Sequence, residues 1–214
     1  MSKLKAQIQQ VREAAIMEAV NQLLSTKGYD LMTVDEVAAL AGIAKASLYK
    51  LFSSKEALAA AAMVQVLDQA LVLTAKLEQD STNTAMEKMR TVSKWAIREQ
   101  LNGAMPTLPA QNSVLSNALQ AHKPYMDRLI TFSDLLGGWI MQAQKAKQLN
   151  TAYPPEMVLY TLFACACNPV LGMLKASGQY TDEKILDWVL DSLFSGLGPT
   201  MKAAPVKSPK LKIR

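Results

Sequence analysis

The segment TVDEVAALAGIAKASLYKLFSSK, residues 33–55, constrains this chain more than any other stretch. Thr33 and Glu36 stand at the spacing of a capping box, in which the hydroxyl accepts from a backbone N–H at the helix start and the carboxylate reaches back to the cap's own N–H. A helix is therefore predicted to begin at Thr33. Val34, Val37, Ala38 and Ala41 recur at spacings of three and four, giving that helix one apolar face, and Gly42 stands where a left-handed residue would end it. Beyond the turn Ala41-Gly42-Ile43, the pattern predicts a second helix with Ala46, Leu48, Tyr49 and Phe52 inward and Lys45, Ser47 and Lys50 outward. Two short helices joined by a glycine turn form a helix-turn-helix, which lays its second helix in a major groove.

From Val11 to Leu58, the residues Ala19, Gly28-Tyr29, Thr33-Val34, Val37-Ala38, Ala41-Gly42-Ile43, Ser47-Leu48-Tyr49, Phe52 and Lys55-Glu56 together resemble the DNA-binding domain of the tetracycline-repressor (TetR) family of bacterial transcriptional regulators. The resemblance covers about a quarter of the chain. Two positions depart from the family pattern: Ala44 replaces the usual capping hydroxyl of the recognition helix, and Leu51 replaces an aromatic or histidine that meets phosphate. The first loss costs about 0.5–2 kcal/mol of helix stability. The second removes affinity without altering base preference.

On the DNA-reading face, Lys45 with Lys50 beside it is expected at base edges, because a helix entering a groove by its N-terminal half offers its first outward residues to the bases. Ser47, Tyr49 and Lys55 are expected on phosphates. Thr33 adds a helix N-terminus of the kind that attracts anions.

Charge supports nucleic acid only locally. The net charge of +5 divides into +1 over residues 1–58, −1 over 59–201 and +5 over 202–214, so it resides in the tail. The argument for DNA rests on where the lysines of the second helix point. Cys165 and Cys167 stand two apart on an expected helix, face different ways, and read as buried free thiols rather than a disulfide or zinc site. His122 is the single histidine and has no ligand or catalytic pattern around it. Residues 157–174 are uncharged over a length that touches the threshold for a membrane span, but Asn168-Pro169 interrupts them, and a helix buried by protein on two sides is expected instead. No signal peptide opens the sequence, and a cytoplasmic protein without membrane contact, metal or cofactor is expected.

Along the chain, residues 2–10 read as a polar arm carrying Lys3 and Lys5, either frayed or lying along DNA. Apolar rows from Val11 to Leu24 form a first helix ending at Gly28. Ser54 caps a long alanine-rich helix to about Gln79, which links the reading head to the rest. Further helices are expected over about 84–101, 110–121, 124–148, 155–176 and 181–197, with a loop at Asn102-Gly103, Pro106 and Pro109. Gly137-Gly138, mid-helix, predicts a kink or a close approach by a helix or ligand. The tail 199–214 has three prolines and no acids, and reads as disordered.

The expected architecture is all-α, with about nine helices: a helix-turn-helix DNA-binding domain over 1–58, a ligand-binding and dimerisation domain over 59–198, and the basic tail over 199–214. The last two helices are apolar on too many faces for one core, so a second copy is expected to cover the surplus at Val189, Leu193 and Phe194. Methionines and aromatics of the middle helices suit a small apolar or aromatic ligand near Trp95, Tyr125, Phe132 and Trp139. The function expected is a homodimeric repressor that binds double-stranded operator DNA and is released by a small-molecule effector. The alternatives are a ligand-independent DNA-binding regulator and, lacking any catalytic constellation, an all-α carrier or enzyme.

Overall fold

The computed structural model describes residues 3–105 and 113–198. The expectations placed on Pro106, Pro109 and the tail 199–214 lie outside the described residues. What is described is helical throughout: α1 (Lys3–Thr26), α2 (Gly28–Leu31), α3 (Val34–Leu40), α4 (Lys45–Leu51), α5 (Lys55–Gln79), α6 (Ala85–Leu101), α7 (Val114–Ala121), α8 (Lys123–Lys145), α9 (Pro155–Cys165), α10 (Pro169–Ala176) and α11 (Asp182–Leu197). The number exceeds the expected nine for two reasons. A single turn, α2, forms behind Gly28, whose φ of 74° suits glycine. The uncharged helix expected over 155–176 is broken, because Pro169 cannot continue it and Asn168 caps a new one by accepting from the Val170 N–H at 3.0 Å.

Local signals fix most helix starts. Thr33 and Glu36 form the expected capping box, Thr84 and Glu87 form another, and Ser54, Ser113 and Thr181 each accept from a backbone N–H of the first turn. His122 takes the same role for α8, its Nδ1 accepting from the Tyr125 N–H at 3.3 Å, so the lone histidine is a helix cap. The polar arm expected over 2–10 is instead continuous with α1, which begins at Lys3. Val11 is exposed, and the buried face of α1 begins at Ile16.

Two hydrophobic clusters organise the packing. One joins Ile16, Val20, Leu23 and Leu24 of α1 to Met32, Val37, Leu48, the Leu58–Met63 stretch of α5, and Leu115 and Leu119 of α7. The other gathers Met89, Ile97, Phe132, Leu136, Trp139, Ile140, Leu162 and Leu171 with the inner rows of α11. The single helix α5 serves both: Met63 is buried in the first and Ala70 in the second. A rigid helix rising about 1.5 Å per residue thereby ties the reading head to the larger bundle.

No other helix of the described residues closes on Gly137-Gly138. Helix α8 runs unbroken to Lys145, and a Cβ built at either glycine would meet nothing within 4 Å.

The last helices correct part of the interface expectation. Val189 and Phe194 (6% exposed) are buried in the bundle's own core, and Leu193 packs against its edge. These inner positions are covered by α6, against which α11 lies. The apolar residues left outside are Trp188 on α11, Met157 and Tyr160 on α9, and Val170 and Met173 on α10, the last 72% exposed. Both α5 and the α9–α10 stretch are long and apolar enough to cross a membrane, but α5 is packed among α1, α6, α7 and α8, and the second is broken at Asn168-Pro169.

Candidate nucleic-acid interface and interior cavity

The second helix of the head presents a wider outward face than the periodicity predicts. Leu48 alone is fully buried, and Phe52 is half-buried at the C-cap. Ala46 and Tyr49, expected inward, are exposed together with Lys45, Ser47 and Lys50. A seven-residue helix seated on one leucine has nearly all its circumference free, and Gly42 (φ 65°) makes the turn that seats it. Ala44 occupies the N-cap without a side-chain bond, as its chemistry requires.

Each expected contact residue has a definite environment. Lys45 Nζ lies 2.9 Å from the Asp35 carboxylate on α3, which raises the lysine above its ordinary pKa. Lys55 donates to the Asp30 carbonyl at 3.2 Å and sits 4.3 Å from the centre of the Tyr29 ring. Tyr29 in turn donates to Glu56 at 2.5 Å; burial and that carboxylate push the phenol well up, and the phenol holds Glu56 below the usual carboxylate range. The Lys55 ammonium is thus fixed at the junction of α2 and α5. Thr33 is held by Glu36, which also takes an ion pair from Lys27. Ser47, Tyr49 and Lys50 are exposed on α4.

The bundle contains a partly open cavity of about 550 Å³ lined by α5, α6, α8 and α9, together with Met105, Ala166 and Cys167. Its wall is overwhelmingly apolar. Trp95, Tyr125 and Phe132, three of the four residues named for a ligand, line it together with Met63, Met89 and Met105. Trp139 does not. It is 2% exposed on another side of α8, where its indole N–H donates to Glu78 at 2.5 Å and Lys88 lies over its ring. An indole needs a partner for its N–H when buried, and here a carboxylate near the end of α5 supplies it.

Sequence reading missed the contribution of α5 (Met63, Val66, Leu67, Ala70) and of α9 (Leu159, Tyr160, Phe163). The propensity of α5 for helix was legible, but not which of its apolar rows would stand beside a void. Among the polar members of the wall, Ser93 is buried and Tyr125 has a raised phenol pKa, from burial first and the nearby Cys167 second. Cys165 lies behind the wall, and burial pushes its thiol up to about 11, so it is not poised as a thiolate.

Comparison with known proteins agrees with this geometry. Residues 16–62 match the tetR family of bacterial regulatory proteins. An HTH-type transcriptional regulator of Mycobacterium tuberculosis is 29% identical over 155 residues, covering 71% of this chain and 76% of that one. Among solved structures, the fatty acid degradation regulator FadR from Bacillus halodurans superposes with a TM-score of 0.66 at 15% identity, covering 87% of this chain and 96% of that one. FadR from Bacillus subtilis, solved in complex with stearoyl-CoA, gives 0.63 at 17% identity, covering 86% and 98%. A gamma-butyrolactone receptor gives 0.60 at 19% identity and 89% of both chains. At these identities, what is shared with the solved structures is the fold.

Proposed function

We propose that this chain, a DNA-binding transcriptional regulator of the tetR family, acts as a homodimeric repressor that leaves its operator when a small apolar molecule enters the cavity between α5, α6, α8 and α9. The observation that carries the reading is the position of that cavity. Its wall includes Met63, which is buried in the core of the reading head, and Tyr125, which packs against that core. A ligand touching those side chains touches the seat of α1 and α4 through α5. Coupling needs only that the ligand prefer one setting of α5 over the other.

The division of labour follows: residues 1–58 read DNA, 59–198 bind effector and partner, and α5 spans the boundary. Lys45 and Lys50 serve the base edges, and Thr33, Ser47, Tyr49 and Lys55 serve phosphates. A second copy covers Trp188, Val170 and Met173, and in doing so fixes the distance between two recognition helices. A ligand-independent regulator would be expected to fill its interior with side chains, and the open volume here favours a ligand instead. The fold neighbours named for fatty acid regulation, and the one solved with stearoyl-CoA, are consistent with an apolar effector. As a repressor, the protein works on DNA in the cytoplasm.

Nuclease footprinting over the DNA flanking the protein's own gene tests the reading. The expected result is protection of a pseudo-palindrome with half-sites roughly 34–36 Å apart. Protection that shows no sequence preference at any salt concentration would overturn it.

A further inference from the structure

The cavity's charge pattern carries an inference that rests on its reading as an effector site. Among the described residues, its lining contains one ionisable group of fixed sign, Asp134, and no lysine, arginine or histidine. Residues 106–112, which follow Met105 of the wall, contain no basic residue in sequence. Arg128, the basic residue of α8 nearest this site in sequence, is engaged elsewhere: its Nε lies 2.5 Å from Asp68 and its Nη1 donates to the Pro124 carbonyl. An anionic head group entering here would leave water without a compensating cation, which is costly.

The rim is different from the interior. Asp134 is exposed and makes no hydrogen bond or ion pair among the described residues. Tyr160 on α9 also lines the cavity and is 67% exposed, an aromatic ring left in solvent beside an apolar volume. Ile130, one turn before Asp134 on α8, is exposed on the same face. One turn after it comes Gly138, where a Cβ would meet nothing within 4 Å, so the surface beside the carboxylate is open. An unpaired carboxylate and an aromatic ring that both line an apolar cavity are two elements that attract an ammonium group, one by charge and one by its ring quadrupole.

We infer that the effector is a lipophilic cation: an apolar chain or ring system within the cavity and an ammonium group at the rim between Asp134 and Tyr160. The two glycines of α8 then act as clearance for the head group.

Three probes of equal chain length separate the elements: decyltrimethylammonium, 1-decanol and decanoate, each titrated below its micellar concentration against the full-length protein and followed by tryptophan fluorescence. The cation is expected to bind at least about tenfold more tightly than decanoate, with the alcohol between them. In Asp134→Asn, the cation's advantage over the alcohol should shrink to within about twofold while alcohol affinity stays unchanged, a readout that a misfolded variant would not give. Decanoate binding as tightly as the cation, or an advantage that survives Asp134→Asn, overturns the charge assignment and leaves the effector site standing. Failure of all three to bind overturns the effector site together with the charge assignment.

Discussion

Lys45 Nζ lies 2.9 Å from the Asp35 carboxylate, so the first outward lysine of the recognition helix is tied to the helix before it in the DNA-free protein. Both side chains are largely in solvent, where such a pair contributes little to stability. Its consequence falls on binding instead. To read a base edge, Lys45 must leave Asp35, and a carboxylate beside phosphates is repulsive. Lys45→Ala is expected to reduce the ratio of specific to scrambled binding, since a base-edge contact is worth about 1–3 kcal/mol of discrimination. Asp35→Ala is expected to tighten both and leave the ratio near its original value. A salt titration on the two duplexes reads both effects, and an unchanged ratio in Lys45→Ala removes that residue from the bases.

Tyr49 and Lys55, both proposed for phosphates, are expected to behave alike in affinity. Tyr49→Phe and Lys55→Ala should weaken binding to every sequence, because a phosphate contact positions without discriminating. Lys55→Ala should also flatten the dependence on salt by about one counterion, as loss of one neutralised phosphate requires. Tyr49→Phe should leave that slope alone, since it removes a neutral hydroxyl.

The outer row of α11 and the exposed face of α10 supply the prediction for assembly. Trp188→Asp combined with Met173→Asp is expected to give a folded monomer in analytical ultracentrifugation, with helical circular dichroism retained and operator affinity strongly reduced. Phe194→Asp is expected to lower the thermal midpoint severely, because it buries an unpaired carboxylate within one protomer. A native chain that sediments as a monomer at working concentration would refute the interface.

The contrast between those two variants also shows where the sequence was sufficient. Capping boxes at Thr33 and Thr84, the serine cap at Ser54 and the glycine turn at Gly42 are local, and each stands where the residue types place it. All-helical architecture followed from them. Three of the four expected cavity aromatics stand in the wall for a similar reason: they lie on helices whose apolar faces must converge. What the sequence could not decide was choice among equivalent rows. Two rows of α11 are apolar and a third carries Trp188, and the packing of α6, a contact distant in sequence, selects Val189 and Phe194 for the inside and leaves Trp188 outside. Trp139 is the same problem in reverse, since its partner Glu78 lies 61 positions earlier in the chain. Ala46 and Tyr49 differ from their expected inward placement because a seven-residue helix has too few turns for periodicity to separate faces.

Glu78 gives a prediction about acid. It accepts from Lys88 at 2.8 Å and from Trp139 at 2.5 Å, joining the end of α5 to α6 and α8. The Lys88 bond chiefly, then the indole, hold its carboxyl below the usual range. A depressed folded-state pKa adds stability that is present above the unfolded value of about 4.3 and fades as pH falls through the folded one. Glu78→Gln is therefore expected to lower the thermal midpoint at neutral pH, and the difference from the native chain should close below the ordinary carboxylate range. A constant difference down to strongly acid pH would mean that the carboxylate's charge is not what stabilises the junction.

The two interior tryptophans should report different events. Trp95 lines the cavity, whereas Trp139 is buried elsewhere against Glu78, so Trp95→Phe should abolish most of the fluorescence response to an effector and Trp139→Phe should preserve it. Coupling to DNA adds a stricter demand. If occupancy of the cavity shifts α5 through Met63 and Tyr125, effector lowers operator affinity by some factor, and operator must lower effector affinity by the same factor. Titrating effector into the Trp139→Phe protein, with and without saturating operator, measures the second factor. Titrating operator at saturating effector measures the first. Met63→Ala removes a side chain shared by the cavity wall and the head's core, and is expected to bring both factors toward one while leaving some effector binding. A response at Trp95 with identical effector affinity in the presence and absence of operator would separate the cavity from DNA release altogether.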